Sequence, residues 1–353
     1  MSRSAASAAD RHAWAEPGVE NLGDGVYRIP LPLPRDPLRA VNVFALTDRD
    51  GVDLIDAGMA LAEARDRLSA ALREIGSDLG EIRNFFVTHA HRDHYTLAVE
   101  LRRTERSAIA LGEQEQANLR AYRDIAAGRE RSFVAEMLRM GAVELLARLG
   151  ALARNRPGTA EWEDPDRWLA DGTDLALPSR TLRVIHTPGH TRGHVVFHDA
   201  AARVLFAGDH VLPHITPTLG YEPAANRMAL RDYLSSLALI LALPDARLLP
   251  AHGPVQDSTH SRVRAILAHH ETRLTETCEA VRSGAATVYE VANAIVWTRA
   301  RRSFTDLDLI NQVLATGETS AHLEVLVTRG QLTRHSSGEG ADLYSLGGDC
   351  GAA

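Results

Sequence analysis

Lysine is absent from this 353-residue sequence: all 39 basic side chains are arginine. Chemistry that needs a lysine amine is excluded with it, namely pyridoxal-phosphate and Schiff-base catalysis, P-loop nucleotide binding and protein-kinase phosphoryl transfer. Cysteine is nearly as scarce. Cys278 and Cys350 stand far apart, which argues against a cysteine-ligated metal or a disulfide scaffold and fits a reducing, cytoplasmic compartment. No apolar run approaches the ~18 residues of a membrane-spanning helix. An excess of positive charge is missing too: the formal net charge is −7, which leaves no electrostatic footprint for a polyanion. The first sixteen residues lack a signal-peptide apolar core, and residues 1–19 read as a disordered start.

What is present is an ordinary core-forming composition, 45% hydrophobic and 24% charged, in a chain long enough for roughly two domains. Apolar runs at 26–30, 41–46, 52–56 and 84–87 read as strands, and the helical spacing from 60 to 75 alternates with them, as does a helix over 95–103 before a strand at 108–111. Alternating β and α elements predict an α/β layered architecture. Residues 113–156 break the rhythm as a helical insertion with an apolar stripe that includes Phe133, Met137, Met140, Leu145 and Leu146, well placed to roof a pocket. Strands resume at 181–186, 195–197 and 204–206. A helix over 227–243 and a strand over 246–249 follow. Beyond 258 the pattern is helical to 274, then over 288–297, 306–314 and 320–328, before a short hairpin of 331–334 with 342–345.

The chemistry is concentrated at strand ends. The run Asn84-Phe85-Phe86-Val87 leads into Thr88-His89-Ala90-His91-Arg92-Asp93-His94, and imidazole with carboxylate is the ligand chemistry of zinc and its neighbours. A solvated histidine-rich loop is the bland alternative, but the His-x-His-x-Asp-His spacing is rare. Three further strand-end turns, each flanked by Gly or Pro, present His190 (Thr187-Pro188-Gly189-His190-Thr191), Asp209 (Ala207-Gly208-Asp209-His210) and His252 (Ala251-His252-Gly253). Seven ligands are enough for two metal ions sharing one carboxylate, an arrangement that polarises a carbonyl or phosphoryl oxygen and holds a hydroxide. His194 reads as structural rather than ligating. His210 and His214, after Asp209, are candidates for the pocket wall, whereas His186, His198, His269 and His270 read as packing or surface histidines.

Over about residues 20–257 this pattern resembles the metallo-β-lactamase-fold hydrolases, with a glyoxalase II-like ligand set. The resemblance implies a four-layer αβ/βα sandwich with its site along one edge of the sheets. It implies His89, His91 and His190 on one metal, Asp93, His94 and His252 on a second, and Asp209 bridging, with Asp56 orienting the site from behind the ligands. It implies two divalent ions, zinc first and iron or manganese as alternatives, and hydrolysis by a metal-bound hydroxide with Asp93 or Asp209 handling its proton. Glutamate in place of His91 would mark a flavodiiron oxidoreductase, and cysteine or serine in place of Asp209 a true metallo-β-lactamase; neither is present. The segment Pro250-Ala251-His252-Gly253-Pro254-Val255 and residues 258–347 resemble the branch with a C-terminal winged-helix domain, expected here to pack on the sandwich, to close the pocket and to serve dimerisation. The expected activity is hydrolysis of a small-molecule carboxylic ester, thioester or lactone whose apolar acyl part lies under the insertion. The alternatives are a metal-dependent endoribonuclease and a winged-helix binding protein with a residual metal site. Salt-sensitive RNA binding would favour the endoribonuclease.

Overall fold

The structure is a computed structural model that describes residues 10–34, 36–129, 132–152, 161–298, 301–336 and 340–348. Seven strands form the first sheet in sequence order: β1 (Glu20–Gly23), β2 (Val26–Pro32), β3 (Ala40–Asp48), β4 (Gly51–Ile55), β5 (Ile82–Val87), β6 (Ala108–Gly112) and β7 (Arg167–Leu169). β1 to β4 are an antiparallel meander, and β4 to β7 run parallel. Parallel neighbours need a crossover. It is supplied by α1 (Ala62–Glu74) between β4 and β5, and by α2 (Arg92–Arg102) between β5 and β6. The insertion between β6 and β7 is helical, with α3 (Gln116–Ala126), α4 (Ser132–Arg139) and α5 (Val143–Leu152).

The second sheet contains β8 (Asp174–Ala176), β9 (Thr181–His186), β10 (Val195–Asp199), β11 (Val204–Gly208) and β12 (Arg247–Pro250), in the order β12-β11-β10-β9-β8. β11 and β12 are parallel, joined through α6 (Ala229–Ala242). Three apolar clusters define four layers. One lies between the sheets, where Phe44 meets Phe206 edge-on at 5.4 Å and Phe86 faces Phe197 at 6.1 Å. A second fills the space between the first sheet and α1 and α2. The third covers the outer face of the second sheet and continues without a break through α6 into the C-terminal helices. Those helices are α7 (Thr259–Arg282), α8 (Val288–Ala294) and α9 (Leu309–Thr328), followed by the hairpin of β13 (Leu332–His335) and β14 (Leu343–Leu346).

Several expectations need correction. The helices expected over 306–314 and 320–328 are one helix, α9, which runs through Gly317. A mid-helix glycine reads as a break in sequence because it weakens helix propensity; here it is retained at a close backbone contact described below. The helix expected to end near Leu274, α7, extends to Arg282. Within the expected disordered start, residues 1–9 lie outside the described residues, but Asp10–Ala15 form a 3-10 turn. Arg28 Nη1 donates to the Trp14 carbonyl at 2.6 Å and ties that turn to β2. Cys278 is buried on α7; Cys350 lies outside the described residues. Among the described residues no helix is long and apolar enough to cross a membrane.

Candidate metal centre

Every strand that was expected to deliver a ligand ends at the same edge. β5 stops at Val87 and delivers His89 and His91; α2 begins at Arg92, so Asp93 and His94 sit in its first turn rather than in a loop. β9 leads to His190, β11 to Asp209 and β12 to His252. Gly208 makes the turn into Asp209 with φ +50°, and a side chain there would collide with Thr88 Oγ1 at 2.7 Å and His194 Nε2 at 2.8 Å. Only glycine lets the bridging-position carboxylate approach the first motif so closely.

Two ligand groups result. In the first, the donor atoms of His89, His91, His190 and Asp209 lie within 4.8 Å of one another, and the same holds for Asp93, His94 and His252 in the second. His91 Nδ1 sits 2.9 Å from His89 Nε2 and 3.0 Å from His190 Nε2. Asp209 Oδ2 is 3.4 Å from His190 Nε2, whereas its other oxygen, Oδ1, is 3.4 Å from His252 Nε2 and 3.8 Å from His94 Nε2. Asp93 Oδ2 is 3.4 Å from His252 Nε2 and 3.6 Å from His94 Nε2. One carboxylate therefore presents an oxygen to each group. His94 Nε2, His252 Nε2 and Asp209 Oδ1 are buried with no hydrogen-bond partner in the protein. A buried polar atom without a partner is costly. Three of them converging on one point, all of metal-ligating type, fit a divalent cation.

The backs of the imidazoles are held. His94 Nδ1 donates to Asp56 Oδ2 at 2.8 Å, His190 Nδ1 to the Thr218 carbonyl at 2.8 Å, His252 Nδ1 to the Ala40 carbonyl at 2.8 Å, and His89 Nδ1 meets Thr88 Oγ1 at 3.0 Å. Donation from Nδ1 leaves the Nε2 lone pair aimed into the site. Asp56 also accepts from the Thr88 backbone and hydroxyl, so one carboxylate orients His94 directly and His89 through Thr88. It sits at the end of β4 with φ +60°. Burial works against charge on these groups, yet the carboxylates around His94 (Asp93, Asp56 and Asp209) push its pKa up to about 10. Burial and the neighbouring His190 push His91 down to about 3. Burial also opposes ionisation of Asp93, but facing His94 and His252 holds its carboxyl well below the usual range. Asp93 and Asp209 are thus held ionised and the imidazoles of the first group neutral, whereas the same carboxylates push His94 and His252 towards the charged form, and a cation bound there would take the place of their protons.

Other expected residues go elsewhere. His194 is fully buried; its Nε2 accepts from the Asp209 backbone N–H at 3.2 Å and its Nδ1 meets Thr187 Oγ1 at 2.9 Å, so it fixes the Asp209 turn. His210 does not reach the pocket wall. The turn after β11 buries it against Tyr233 of α6, ring centroids 5.2 Å apart, with both ring nitrogens lacking a hydrogen-bond partner. His214 lines a separate cleft with Arg262, His269 and Trp297. His91 and Asp93 instead border a cavity of about 540 Å³ walled by Tyr122, Phe133, Met137, Met140, Tyr221, Val313 and Leu314, among others. Insertion and C-terminal helix thus share the wall, with α9 the element of the C-terminal part that closes the pocket.

A buried polar cluster joins the insertion to the metal loop, and sequence reading missed it. Glu115 accepts from the Thr191 hydroxyl, Asn118 donates to both Glu115 and Glu222 at 2.9 Å, and Glu222 accepts from the Arg192 backbone N–H at 2.9 Å. Burial pushes Glu115 up to about 7 and raises Glu222 as well. No spacing rule links residues 115, 191 and 222 in the chain, so only the fold could bring them together.

A four-layer αβ/βα protein with histidine and aspartate ligands converging on one sheet edge is a metal-binding member of a known architecture. The chain belongs to the metallo-beta-lactamase superfamily, which matches residues 36–252. It is 29% identical over 159 residues to the Beta-lactamase-like protein 2 homolog of Caenorhabditis elegans, 45% of each chain. The chain therefore spans under half the length of that relative. It is 27% identical over 246 residues to the acyl-coenzyme A thioesterase MBLAC2 of Gallus gallus, covering 65% of this chain and 78% of that one. Among solved structures, a metallo-beta-lactamase family protein from Thermus thermophilus superposes with a TM-score of 0.74 at 28% identity, over 92% of this chain and all of the other.

Proposed function

We propose that the chain is a dinuclear metal hydrolase of carboxylic thioesters or related esters with an apolar acyl group. The observation that carries this reading is the junction of the ligand cluster with a mainly apolar cavity: His91 and Asp93 border a space whose wall includes Tyr122, Phe133, Met137, Met140, Val313 and Leu314, with Arg92, Glu136 and Glu222 as its charged members. An acyl chain in that space places its carbonyl at the ligands, and burial of each methylene contributes about 0.8 kcal/mol. A relative named as an acyl-coenzyme A thioesterase points the same way.

His89, His91, His190 and Asp209 would hold one ion, and Asp93, His94, His252 and Asp209 the other; zinc suits these donors first. Ions bound there supply a Lewis acid and lower the pKa of water towards neutrality. The protein's own groups do the rest. Asp93, ionised and at the cavity end, is placed to orient a water and take its proton. Asp56 and the Thr218 and Ala40 carbonyls keep the imidazoles in one tautomer. The apolar wall excludes bulk water and so strengthens electrostatic effects at the carbonyl.

The endoribonuclease reading has less support. The part of α9 that would have to enter a nucleic-acid groove is buried from Thr319 to Leu326, with Glu324 among those residues. The test is a panel of acyl-thioesters, lactones and single-stranded RNA assayed against protein of defined metal content. Hydrolysis of thioesters that rises with metal loading supports the proposal. RNA cleavage with inert thioesters would replace it.

A further inference from the structure

The apolar cavity has a floor made of two glycines, and they come from different parts of the chain. Gly220 lies in the loop between β11 and α6, with φ +74°, and Gly317 lies in the middle of α9. A side chain on Gly220 would meet the Gly317 carbonyl at 2.6 Å, and one on Gly317 would meet the Gly220 carbonyl at 3.0 Å. The backbones therefore touch. Both residues line the cavity of about 540 Å³, and both line an adjoining space of only about 20 Å³, together with Glu136, Met140 and Ala225. Beyond that the way is closed by Arg227, ion-paired to Glu136 at 3.5 Å and to Asp342 at 3.4 Å.

The floor is also fixed in depth relative to the metal ligands. Two residues before Gly220, the Thr218 carbonyl accepts from His190 Nδ1; two residues after it, Glu222 accepts from the Arg192 backbone and from Asn118. The loop is thus pinned on both sides of Gly220 to the segment that carries His190. Distance from ligand cluster to cavity floor is set by a short, doubly anchored piece of backbone rather than by mobile side chains.

We propose that the Gly220–Gly317 contact, with Met140 beside it, is the ruler that sets the length of acyl chain the protein accepts. This rests on the reading of the cavity as an acyl site. The cavity beside the ligands holds the chain up to the glycine pair, where the two touching backbones stop it. A larger residue at 317 meets the Gly220 carbonyl and turns its outer carbons into the cavity, and a smaller one at 140 opens the way towards the second space.

The test reads binding separately from turnover. Dissociation constants of straight-chain carboxylates from butanoate to dodecanoate are measured by calorimetry for the metal-loaded wild type, Gly317→Leu and Met140→Ala, alongside rates for the matching thioesters. In the wild type, affinity rises with length and then stops rising. Gly317→Leu moves that limit to shorter chains, with about tenfold or greater loss for the longest ligands and little change for butanoate, since a lost methylene pocket is worth about that much. Met140→Ala moves it to longer chains. If Gly317→Leu fails to fold by circular dichroism, Met140→Phe is used in its place, with a smaller shift in the same direction. A length limit unmoved in both variants overturns the ruler, as does a wild type that binds no carboxylate of any length. A limit that moves while no thioester is cleaved sustains the ruler and removes the hydrolase reading instead.

Discussion

The two ends of the cavity are built on different principles. The metal end is made of seven side chains from four strand-end segments, and four of its imidazoles are held from behind by a hydrogen bond, so that its geometry is over-determined. The acyl end is walled mainly by apolar side chains of α3, α4 and α9 and by two glycines, with Glu136 among them. Polar geometry fixes what reaction is feasible; apolar volume fixes what molecule is admitted. Metal end and acyl end should therefore respond to mutation in separable ways, one through catalysis and metal content and the other through substrate length.

The largest expected effect is at the shared carboxylate. Asp209→Ala removes the oxygens offered to both ligand groups and should lower metal content below two ions per chain. Rate should fall on the order of 10³-fold, since Lewis-acid stabilisation is worth several kcal/mol. Elemental analysis together with the rate decides this, and a variant with full metal and full activity would show that Asp209 bridges nothing. Next comes the residue behind the ligands. Asp56→Asn keeps the shape but weakens the hold on His94 and Thr88, and should cost about 10–100-fold in metal affinity or activity. At the other end, Leu314→Ala should raise KM for a long-chain thioester about tenfold while metal content stays at the wild-type value. A fall in metal content in that variant would break the proposed separation between the two ends.

The smallest effect tests the cluster that joins them. Burial raises Glu115 from 4.5 to about 7. Below pH 4.5 the residue is protonated in both folded and unfolded chains. Between there and about pH 7 the unfolded chain gives up its proton while the folded one keeps it, so this group's contribution to stability is lost as pH rises. Glu115→Gln should flatten the thermal stability between pH 5 and 7 relative to wild type, measured by melting temperature at each pH. An unchanged slope would mean that Glu115 is not the group responsible.

How much of this was legible beforehand differs by region for a physical reason. The strand-end ligands could be read because each sits in a local pattern, an apolar run followed by a Gly- or Pro-flanked turn, and because ligand chemistry is restricted to a few residue types. α9 reads as two helices in sequence because Gly317 breaks local propensity, while the reason for the glycine is a backbone 97 residues away in sequence. His210 and His214 were expected near the substrate by adjacency to Asp209, but a turn sends neighbouring side chains in different directions.

The sequence by itself determined the ligand types, the strands that carry them, the layered α/β class and the exclusion of lysine-dependent chemistry, because these follow from residue identity and short-range periodicity. Only the tertiary structure decided that one oxygen of Asp209 faces each ligand group and that Asn118 binds Glu115 to Glu222. Tertiary packing alone also brings α9 to the cavity wall, where Gly317 meets Gly220. Such contacts depend on where distant segments pack, and no local rule encodes the distance between them.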